Sequence, residues 1–266
     1  MKKILALIIC AMMVFTLFAC NAPVNTNDAG NDATGDIAAV KAAGKLVVGM
    51  TDYAPMNYKD ENGAWTGFDT EFAQAYAAKL GVDVEFIIID WDNKYTELEA
   101  KSIDCIWNGM TITEEGKLNA SISDPYVKNA QVVVMANDKL ADYADTASMT
   151  ELSFAVENGS AGADAAEAAG FTNVTAVQDQ AAALLEVASG SVDACIIDIT
   201  MANAMTGEGT SYADYGYTVE LSAEEYGVAF RKGSDLTADF NAFMAEAMTD
   251  GTLDNLADKY ELTLVK

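Results

Sequence analysis

The order of strand-forming and helix-forming segments occurs twice along the chain, and this repetition constrains the fold more than any other feature. β-Branched and apolar runs alternate with segments that carry apolar residues at helical spacing. A strand-helix-strand-helix-strand order implies a largely parallel sheet with helices on its faces. The sequence therefore predicts two α/β lobes, with strands at 45–50, 82–89 and 103–107 in the first and at 152–156, 174–177 and 192–197 in the second.

Capping residues mark the predicted helix boundaries. Asp69 precedes a helical pattern that ends at Gly81, and Asp179 precedes another that ends at Gly190. Thr113 stands where a third helix begins. Short oxygen-bearing side chains favour the N-cap position and glycine favours the end of a helix. We therefore expect all three oxygen-bearing residues to act as N-caps.

The first twenty residues have the features of an export signal. Lys2 and Lys3 precede an uncharged apolar run, shorter than the ~20 residues that span a bilayer. The run ends in LFAC, which resembles a bacterial lipobox, so we expect a lipoprotein signal peptide at 1–20 with Cys20 as the lipidated N-terminus. An ordinary secretory signal and a membrane-anchor helix are the alternatives. Residues 21–36 predict a flexible tether, and the folded part is expected from about Ile37.

The charge and the residue types exclude several classes of function. Without Lys2 and Lys3, 13 basic residues stand against 41 acidic ones, a net charge of −28. Nucleic-acid binding needs a basic footprint, and an anionic membrane surface repels such a chain. The absence of histidine excludes a Ser-His-Asp triad and most zinc sites. Cys105 and Cys195 lie in apolar runs, so buried free thiols are expected.

Several stretches, taken in order, resemble one known family. They are GFDTEFAQAYAAKLG, the pair Trp91-Asp92, SIDCIWNGMTIT, SDPY, and the segment from YGVAFRKG to LADKY. Their order and spacing resemble the family-3 extracellular solute-binding proteins, the amino-acid-binding lipoproteins of ABC importers. The resemblance extends over residues 44–260.

The resemblance implies an α/β, two-lobed, periplasmic-binding-protein-like fold of type II. Two hinge strands would join the lobes, and the ligand would bind in the cleft between them. Lobe 1 is expected at 37–126 plus 226–266, lobe 2 at 129–222, and the hinges near 127–128 and 223–225. Elementary rules agree, because α/β sheets bind ligands at the carboxyl ends of their strands and clefts between lobes are favoured sites.

The implied function is capture of a small polar solute, in first place an amino acid, and its delivery to an ABC permease. We expect no catalysis and no cofactor, and an exported monomer held at the outer face of the cytoplasmic membrane by its lipid anchor alone. Three alternatives stay open. They are a binding protein for a cationic or amine-type ligand without an α-carboxylate, a ligand sensor that docks to a membrane receptor, and a dehydratase-like enzyme that would use Glu157 as acid or base.

The resemblance also implies which residues contact the ligand. Asp198 would hold an ammonium group, although it could instead cap the helix that follows. Thr111 would offer its hydroxyl to a carboxylate, and Ser160 would lie at a helix start whose N–H groups favour anions. The full predicted set is Asp52, Tyr53, Trp91, Asn108, Gly109, Thr111, Glu157, Ser160, Ala161 and Asp198, of which Tyr53 and Trp91 would be walls or ordinary core.

Gly116 is where the sequence departs from the family pattern. The family carries an arginine five residues after the threonine that matches Thr111, and its planar fork grips a carboxylate with two hydrogen bonds. Glycine also costs about 1 kcal/mol of helix propensity against alanine. Three explanations follow: backbone N–H groups and Thr111 hold the carboxylate, Lys117 or another cation replaces the arginine, or the ligand has no α-carboxylate.

Overall fold

The computed structural model describes residues 35–266. The predicted signal peptide, the lipidation of Cys20 and nearly all of the predicted tether lie outside these residues. Among residues 35–266, no helix combines the length and apolar character that crossing a bilayer requires. Within the same range, no three His, Cys, Asp or Glu side chains are placed so that together they could hold a metal ion.

Twelve strands and nine α-helices alternate along the described residues. The strands are β1 (Lys45–Met50), β2 (Tyr58–Lys59), β3 (Trp65–Thr66), β4 (Asp83–Ile88), β5 (Cys105–Ile106), β6 (Ser121–Ile122), β7 (Val127–Ala136), β8 (Phe154–Glu157), β9 (Val174–Val177), β10 (Ala194–Asp198), β11 (Tyr215–Tyr226) and β12 (Ala229–Phe230). The helices are α1 (Asp36–Ala43), α2 (Phe68–Leu80), α3 (Lys94–Glu99), α4 (Glu114–Asn119), α5 (Ala161–Ala168), α6 (Gln180–Ala188), α7 (Ile199–Met205), α8 (Leu236–Thr249) and α9 (Thr252–Lys259).

The strands form two five-stranded sheets, as the repeated element order predicts. The first has the order β4-β1-β5-β12-β6, with β1 parallel to β4 and β5. The second has the order β11-β7-β10-β8-β9, with β8 parallel to β9 and β10. In each sheet the alternating segment supplies the parallel strands, while β12, β7 and β11 join antiparallel neighbours.

The long pair of β7 and β11 connects the two lobes. Val127, at the start of β7, lies opposite Tyr226, at the end of β11, and Asn129 lies opposite Glu224. Both crossings between the lobes therefore run side by side and are hydrogen-bonded to each other. The residue boundaries of the lobes and hinges stay a prediction.

Aromatic side chains fill the first lobe and attach the C-terminal helices to it. Trp107 follows β5 and its ring lies 4.8 Å from that of Phe240 in α8 and 5.3 Å from that of Phe72 in α2, each nearly edge to face. Aromatic pairs at this spacing add stability beyond their buried area. In the second lobe, Phe154 stacks on Phe171 at 4.2 Å.

Two of the three predicted caps are confirmed and one is wrong. Thr113 accepts a hydrogen bond from Gly116 N at 2.9 Å, and Asp179 accepts one from Ala182 N at 2.7 Å. Asp69 is not a cap, because α2 begins two residues earlier than predicted, at Phe68 after Gly67, whose φ of 119° few other residues adopt. A Cβ there would also overlap the carbonyl oxygen of Met56.

Asp69 instead joins α2 to the strand end after β5. Its carboxylate accepts hydrogen bonds from the backbone N–H of Gly109 at 2.6 Å and from the hydroxyl of Tyr126 at 2.8 Å. Both predicted thiols, Cys105 and Cys195, are buried and free, which confirms that expectation.

Candidate functional site

A cavity of about 250 Å³ lies between the two lobes. Its wall comes from the segments that follow β4 and β5 in the first sheet and β8 and β10 in the second. Strand carboxyl ends of both lobes therefore meet at one place, as α/β sheets favour. Eight of the ten predicted contact residues line it: Trp91, Asn108, Gly109, Thr111, Glu157, Ser160, Ala161 and Asp198.

Asp52 and Tyr53 do not line this cavity. Asp52 lies at the surface, but loss of solvent around part of its carboxyl group, together with the charge of Asp179, raises the pKa of that group. Tyr53 is buried, and its hydroxyl group forms hydrogen bonds with Thr200 of the second lobe and with Tyr226 of β11. The Tyr53 hydroxyl group therefore joins the two lobes at a place outside the cavity wall.

Gly109 allows the chain to pass over the Tyr53 ring. Its φ of 56° lies in the left-handed region, which favours glycine. A Cβ at this position would lie 2.7 Å from a ring carbon of Tyr53 and 3.1 Å from one of Tyr226. Both its conformation and its surroundings therefore require glycine where the loop reaches the cavity.

Asp198 ends β10 and is held by three side-chain amides. Gln131 donates to one carboxylate oxygen at 2.9 Å, Asn129 donates to the same oxygen, and Gln180 donates to the other. The side chain makes no capping bond to α7, although the helix begins at the next residue. Burial, and then the charge of Glu224, raise the pKa of Asp198 to about 7.

Glu157 ends β8 and lacks a partner for one of its oxygens. The residue is 2% exposed, and Oε1 has no hydrogen-bond partner within residues 35–266. Burial, followed by the charges of Asp198 and Asp179, raises the pKa of Glu157 to about 8. A buried acceptor without a donor costs about 1–3 kcal/mol. This carboxyl group is therefore the place in the wall where a donor from a bound molecule would gain most.

Ser160 joins the wall to the start of α5. Its hydroxyl oxygen accepts a hydrogen bond from the N–H of Ala163 at 3.2 Å, so the side chain serves as the N-cap. Ala161 begins the helix and also lines the cavity. The second-lobe wall therefore combines three carboxyl groups, those of Glu157, Asp164 and Asp198, with one helix N-terminus.

The first-lobe wall also contains a lysine, Lys94, that is not among the predicted contact residues. The Lys94 ammonium group lies 5.1 Å from the ring centroids of both Trp91 and Tyr95. It donates to the carbonyl oxygen of Trp91 at 3.2 Å and, across the cleft, to that of Gly159 at 2.9 Å. Burial lowers the pKa of Lys94. Its position three residues after Trp91 on a helical turn was the available signal, because such residues share a face.

Asn108 and Thr111 face the cavity with side chains that already have partners. The Asn108 side chain accepts from the N–H and hydroxyl of Thr51 at 2.9 and 2.8 Å and donates to the Thr51 carbonyl oxygen at 3.0 Å. The Thr111 hydroxyl donates to the carboxylate of Glu224 at 2.8 Å. Asn108 therefore ties β1 to the loop after β5, and Thr111 ties that loop to β11.

The position of the Tyr95 side chain explains why residue 116 is a glycine. Gly116 is buried, and a Cβ there would lie 2.8 Å from the Tyr95 hydroxyl oxygen and 3.1 Å from Cδ1 of Ile122. The tyrosine hydroxyl therefore occupies the space above the helix start, and burial raises the pKa of that phenol to about 12. Lys117 does not take the place of an arginine, because its ammonium group pairs with the exposed Glu114 at 2.7 Å, away from the cavity wall.

Acidic groups dominate the cavity. Lys94 is the one cationic side chain among the described residues of the wall. Arg231, the only arginine in the sequence, is bonded to Asp36 and Asp104 of the first lobe at 3.1 and 3.0 Å. Against Lys94 stand five carboxyl groups in the wall, those of Asp92, Glu115, Glu157, Asp164 and Asp198.

Comparison with known proteins gives one consistent set of relatives. The family model for bacterial extracellular solute-binding proteins, family 3, matches residues 46–263. The arginine-binding extracellular protein ArtP of Bacillus subtilis (strain 168) is 30% identical over 269 residues, covering 98% of each chain. The crystal structure of a mutant of ArgBP from T. maritima gives a TM-score of 0.79 at 32% identity, covering 85% of this chain and 98% of the other. The ancestral amino acid-binding protein AncCDT-1, a precursor of cyclohexadienyl dehydratase, gives 0.77 at 32% identity, covering 84% and 98%.

Proposed function

The chain belongs to the bacterial extracellular solute-binding proteins of family 3, and on this basis we propose that it captures an amino acid or a closely related amine outside the cell. The names of the relatives support this ligand class. The Bacillus subtilis relative is an arginine-binding protein, and the ancestral structure is that of an amino acid-binding protein. Such ligands carry a protonated nitrogen, which needs acceptors.

The unpartnered carboxyl group of Glu157 carries the proposal. It lies in a cavity whose wall is divided between two lobes, and a ligand ammonium or guanidinium group would supply its missing donor. Hydrogen bonds from one ligand to both lobes would form only when the lobes are together. That difference in binding energy is what a ligand needs in order to shift a hinged protein toward its closed form.

The same proposal includes delivery to an ABC permease by an exported protein held at the membrane by lipid on Cys20. The basic residues, apolar run and LFAC sequence of residues 1–20 support export and lipidation. We propose that the protein binds its ligand and releases it unchanged. The relatives named above are binding proteins, and the one linked to a dehydratase is described as its amino acid-binding precursor.

Thermal denaturation of the purified protein with each standard amino acid and a panel of small amines tests the proposal. A ligand that binds only the folded state at 100 times its Kd adds about 2.7 kcal/mol of stability. We expect at least one of these solutes to raise the unfolding midpoint and to be recovered intact. Failure of every amino acid and amine would contradict solute capture, and conversion to a product would indicate an enzyme.

A further inference from the structure

The cavity has few groups left that could hold a ligand carboxylate. A carboxylate needs cations or N–H and O–H donors. Gly116 stands where the family resemblance implies an arginine, and the single arginine of the chain, Arg231, is paired with two aspartates elsewhere. The Thr111 hydroxyl, the side-chain donor expected for the same carboxylate, already donates to Glu224. The arginine is thus absent and the threonine hydroxyl is in use.

Lys94 does not fill this gap. Two of its three N–H donors are directed to the carbonyl oxygens of Trp91 and Gly159, and its charge lies against the faces of the Trp91 and Tyr95 rings. Because the bond to Gly159 crosses the cleft, the lysine joins the lobes. An α-carboxylate would have to compete with both carbonyl oxygens for this one ammonium group.

Acceptors, in contrast, are in excess. Five carboxyl groups line the cavity against one ammonium group, and a ligand carboxylate would add a sixth. Like charges in a partly desolvated site repel one another far more than they do in water. Glu157 is almost fully buried, yet its Oε1 has no partner within the described residues. A positively charged donor satisfies this oxygen and reduces the repulsion at the same time.

We propose that the ligand is a small organic cation without a free carboxylate, an amine or guanidine whose charged nitrogen donates to Glu157 and Asp198. This inference rests on the proposed function and narrows its ligand class. The volume of about 250 Å³ suits a molecule of few heavy atoms. The backbone N–H groups at the start of α5 then face ordinary solvent or a neutral end of the ligand.

Matched ligand pairs that differ only in the carboxylate test this inference. The pairs are arginine with agmatine, ornithine with putrescine, and lysine with cadaverine, each titrated into the purified protein by calorimetry. We expect the carboxylate-free member of at least one pair to bind, with a Kd about tenfold or more below that of its amino acid. If the amino acids bind as tightly as their amines or more tightly, this inference fails while solute capture stands. If no amine, guanidine or amino acid binds, both fail.

A charge-removing variant tests the acceptor itself. Glu157→Gln keeps the shape of the side chain and removes its negative charge, so the affinity for the bound amine should fall about tenfold or more. Glu114→Gln is the matched control, because its side chain is 90% exposed outside the cavity. The unfolding midpoint of each ligand-free variant establishes that it folds. Unchanged amine affinity in folded Glu157→Gln overturns the role given to this carboxyl group.

Discussion

The two walls of the cavity are both buried and polar, yet they differ in how their polar groups are used. On the first-lobe wall, Thr111 donates to Glu224, and Lys94 is bonded to two carbonyl oxygens. On the second-lobe wall, Asp198 has three amide partners, but Glu157 keeps one oxygen without any. The donors Thr111 and Lys94 of the first wall are bonded within the protein, whereas the second wall has an acceptor oxygen that is available to a ligand.

Asp69 and Glu157 show why burial alone does not identify a site. Both carboxyl groups are buried, and burial raises their pKa values to about 7 and about 8. Asp69 accepts from the Gly109 N–H and the Tyr126 hydroxyl, so its polar needs are met within the first lobe. Glu157 resembles it in depth but lacks such partners for one oxygen. The unmet hydrogen bond of Glu157, together with its place in the cavity wall, is why we propose it rather than Asp69 as a group that accepts from the ligand.

Replacement of Asp198 should cause the largest losses, both in the free energy of unfolding and in ligand affinity. Asp198→Ala removes the acceptor of three buried amides, each of which costs about 1–3 kcal/mol when left unpaired. We expect the free energy of unfolding to fall by about 3 kcal/mol and ligand affinity to fall by about a hundredfold or more. Urea denaturation and calorimetry measure the two effects.

Asp142→Ala is the control for that experiment, because Asp142 is exposed in the same lobe. Its free energy of unfolding should stay within about 0.5 kcal/mol of the original. Wild-type ligand affinity in a folded Asp198→Ala protein would mean that the second-lobe wall does not hold the ligand.

An arginine at position 116 should give the first-lobe wall a donor for a ligand carboxylate. Gly116→Arg alone would collide with the Tyr95 hydroxyl, since even a Cβ lies 2.8 Å from it, and overpacking costs about 1–3 kcal/mol. Combination with Tyr95→Ala frees that space. The double variant should shift preference within each amine and amino-acid pair about tenfold toward the amino acid, because a guanidinium group binds a carboxylate through two hydrogen bonds.

Calorimetry with the same ligand pairs measures the shift, and Tyr95→Ala alone is the control for loss of the aromatic ring. If the double variant folds and its preference is unchanged, then position 116 does not govern recognition of a carboxylate. The absence of the arginine would then have another cause than the recognition of a carboxylate-free ligand.

The sequence predicted the lobes and the strand ends well because both depend on local patterns. Alternating runs of β-branched residues and helical apolar faces set the element order, and parallel strands bring their carboxyl ends together. Glu157 and Asp198 could be placed at strand ends for this reason, each as the last residue of its strand. The strand predicted at 103–107 is shorter than expected, Cys105–Ile106, although the N–H of Trp107 still donates to the carbonyl oxygen of Gly49 at 3.2 Å.

The residues that the sequence did not reveal act through contacts between distant segments. Tyr95 fills the space above Gly116, although the two lie 21 positions apart in the chain. Glu224 meets Thr111 because β11 runs back past the loop after β5. Asp69 looked like a cap because its type and position suited one, but Gly67 moved the start of α2. No local pattern carries information about such pairings.

The pH dependence should separate the free protein from the ligand-bound protein. The pKa values of Glu157 and Asp198 are raised to about 8 and about 7, above those of an unfolded chain. The unfolded state therefore loses its protons first as pH rises, and the free protein loses stability between about pH 4 and pH 8. We expect the unfolding midpoint to fall by about 4 °C or more from pH 5 to pH 8.

The affinity for a cationic ligand should change with pH in the opposite direction to the stability of the free protein, because the ligand prefers the ionised carboxylates. Its affinity should rise from pH 6 to pH 8.5, and binding at pH 7 should release protons, which calorimetry in buffers of different ionisation enthalpy detects. In Glu157→Gln both the fall of the midpoint and the proton release should be smaller. Proton uptake on binding would contradict a cation held by these carboxyl groups.

Replacement of Lys94 should have the smallest effect, and it separates contact between the lobes from recognition of the ligand. Lys94→Met removes the bond to the Gly159 carbonyl, which forms only when the lobes meet. Both members of a ligand pair should then weaken by the same factor, about threefold to fivefold, because neither depends on Lys94 for a carboxylate contact. Lys117→Met removes the same charge from an exposed ion pair and should change neither Kd. If the affinity for the amino acid falls about tenfold more than that for its amine, Lys94 binds the ligand carboxylate. The first-lobe wall would then still have a donor that a ligand can use.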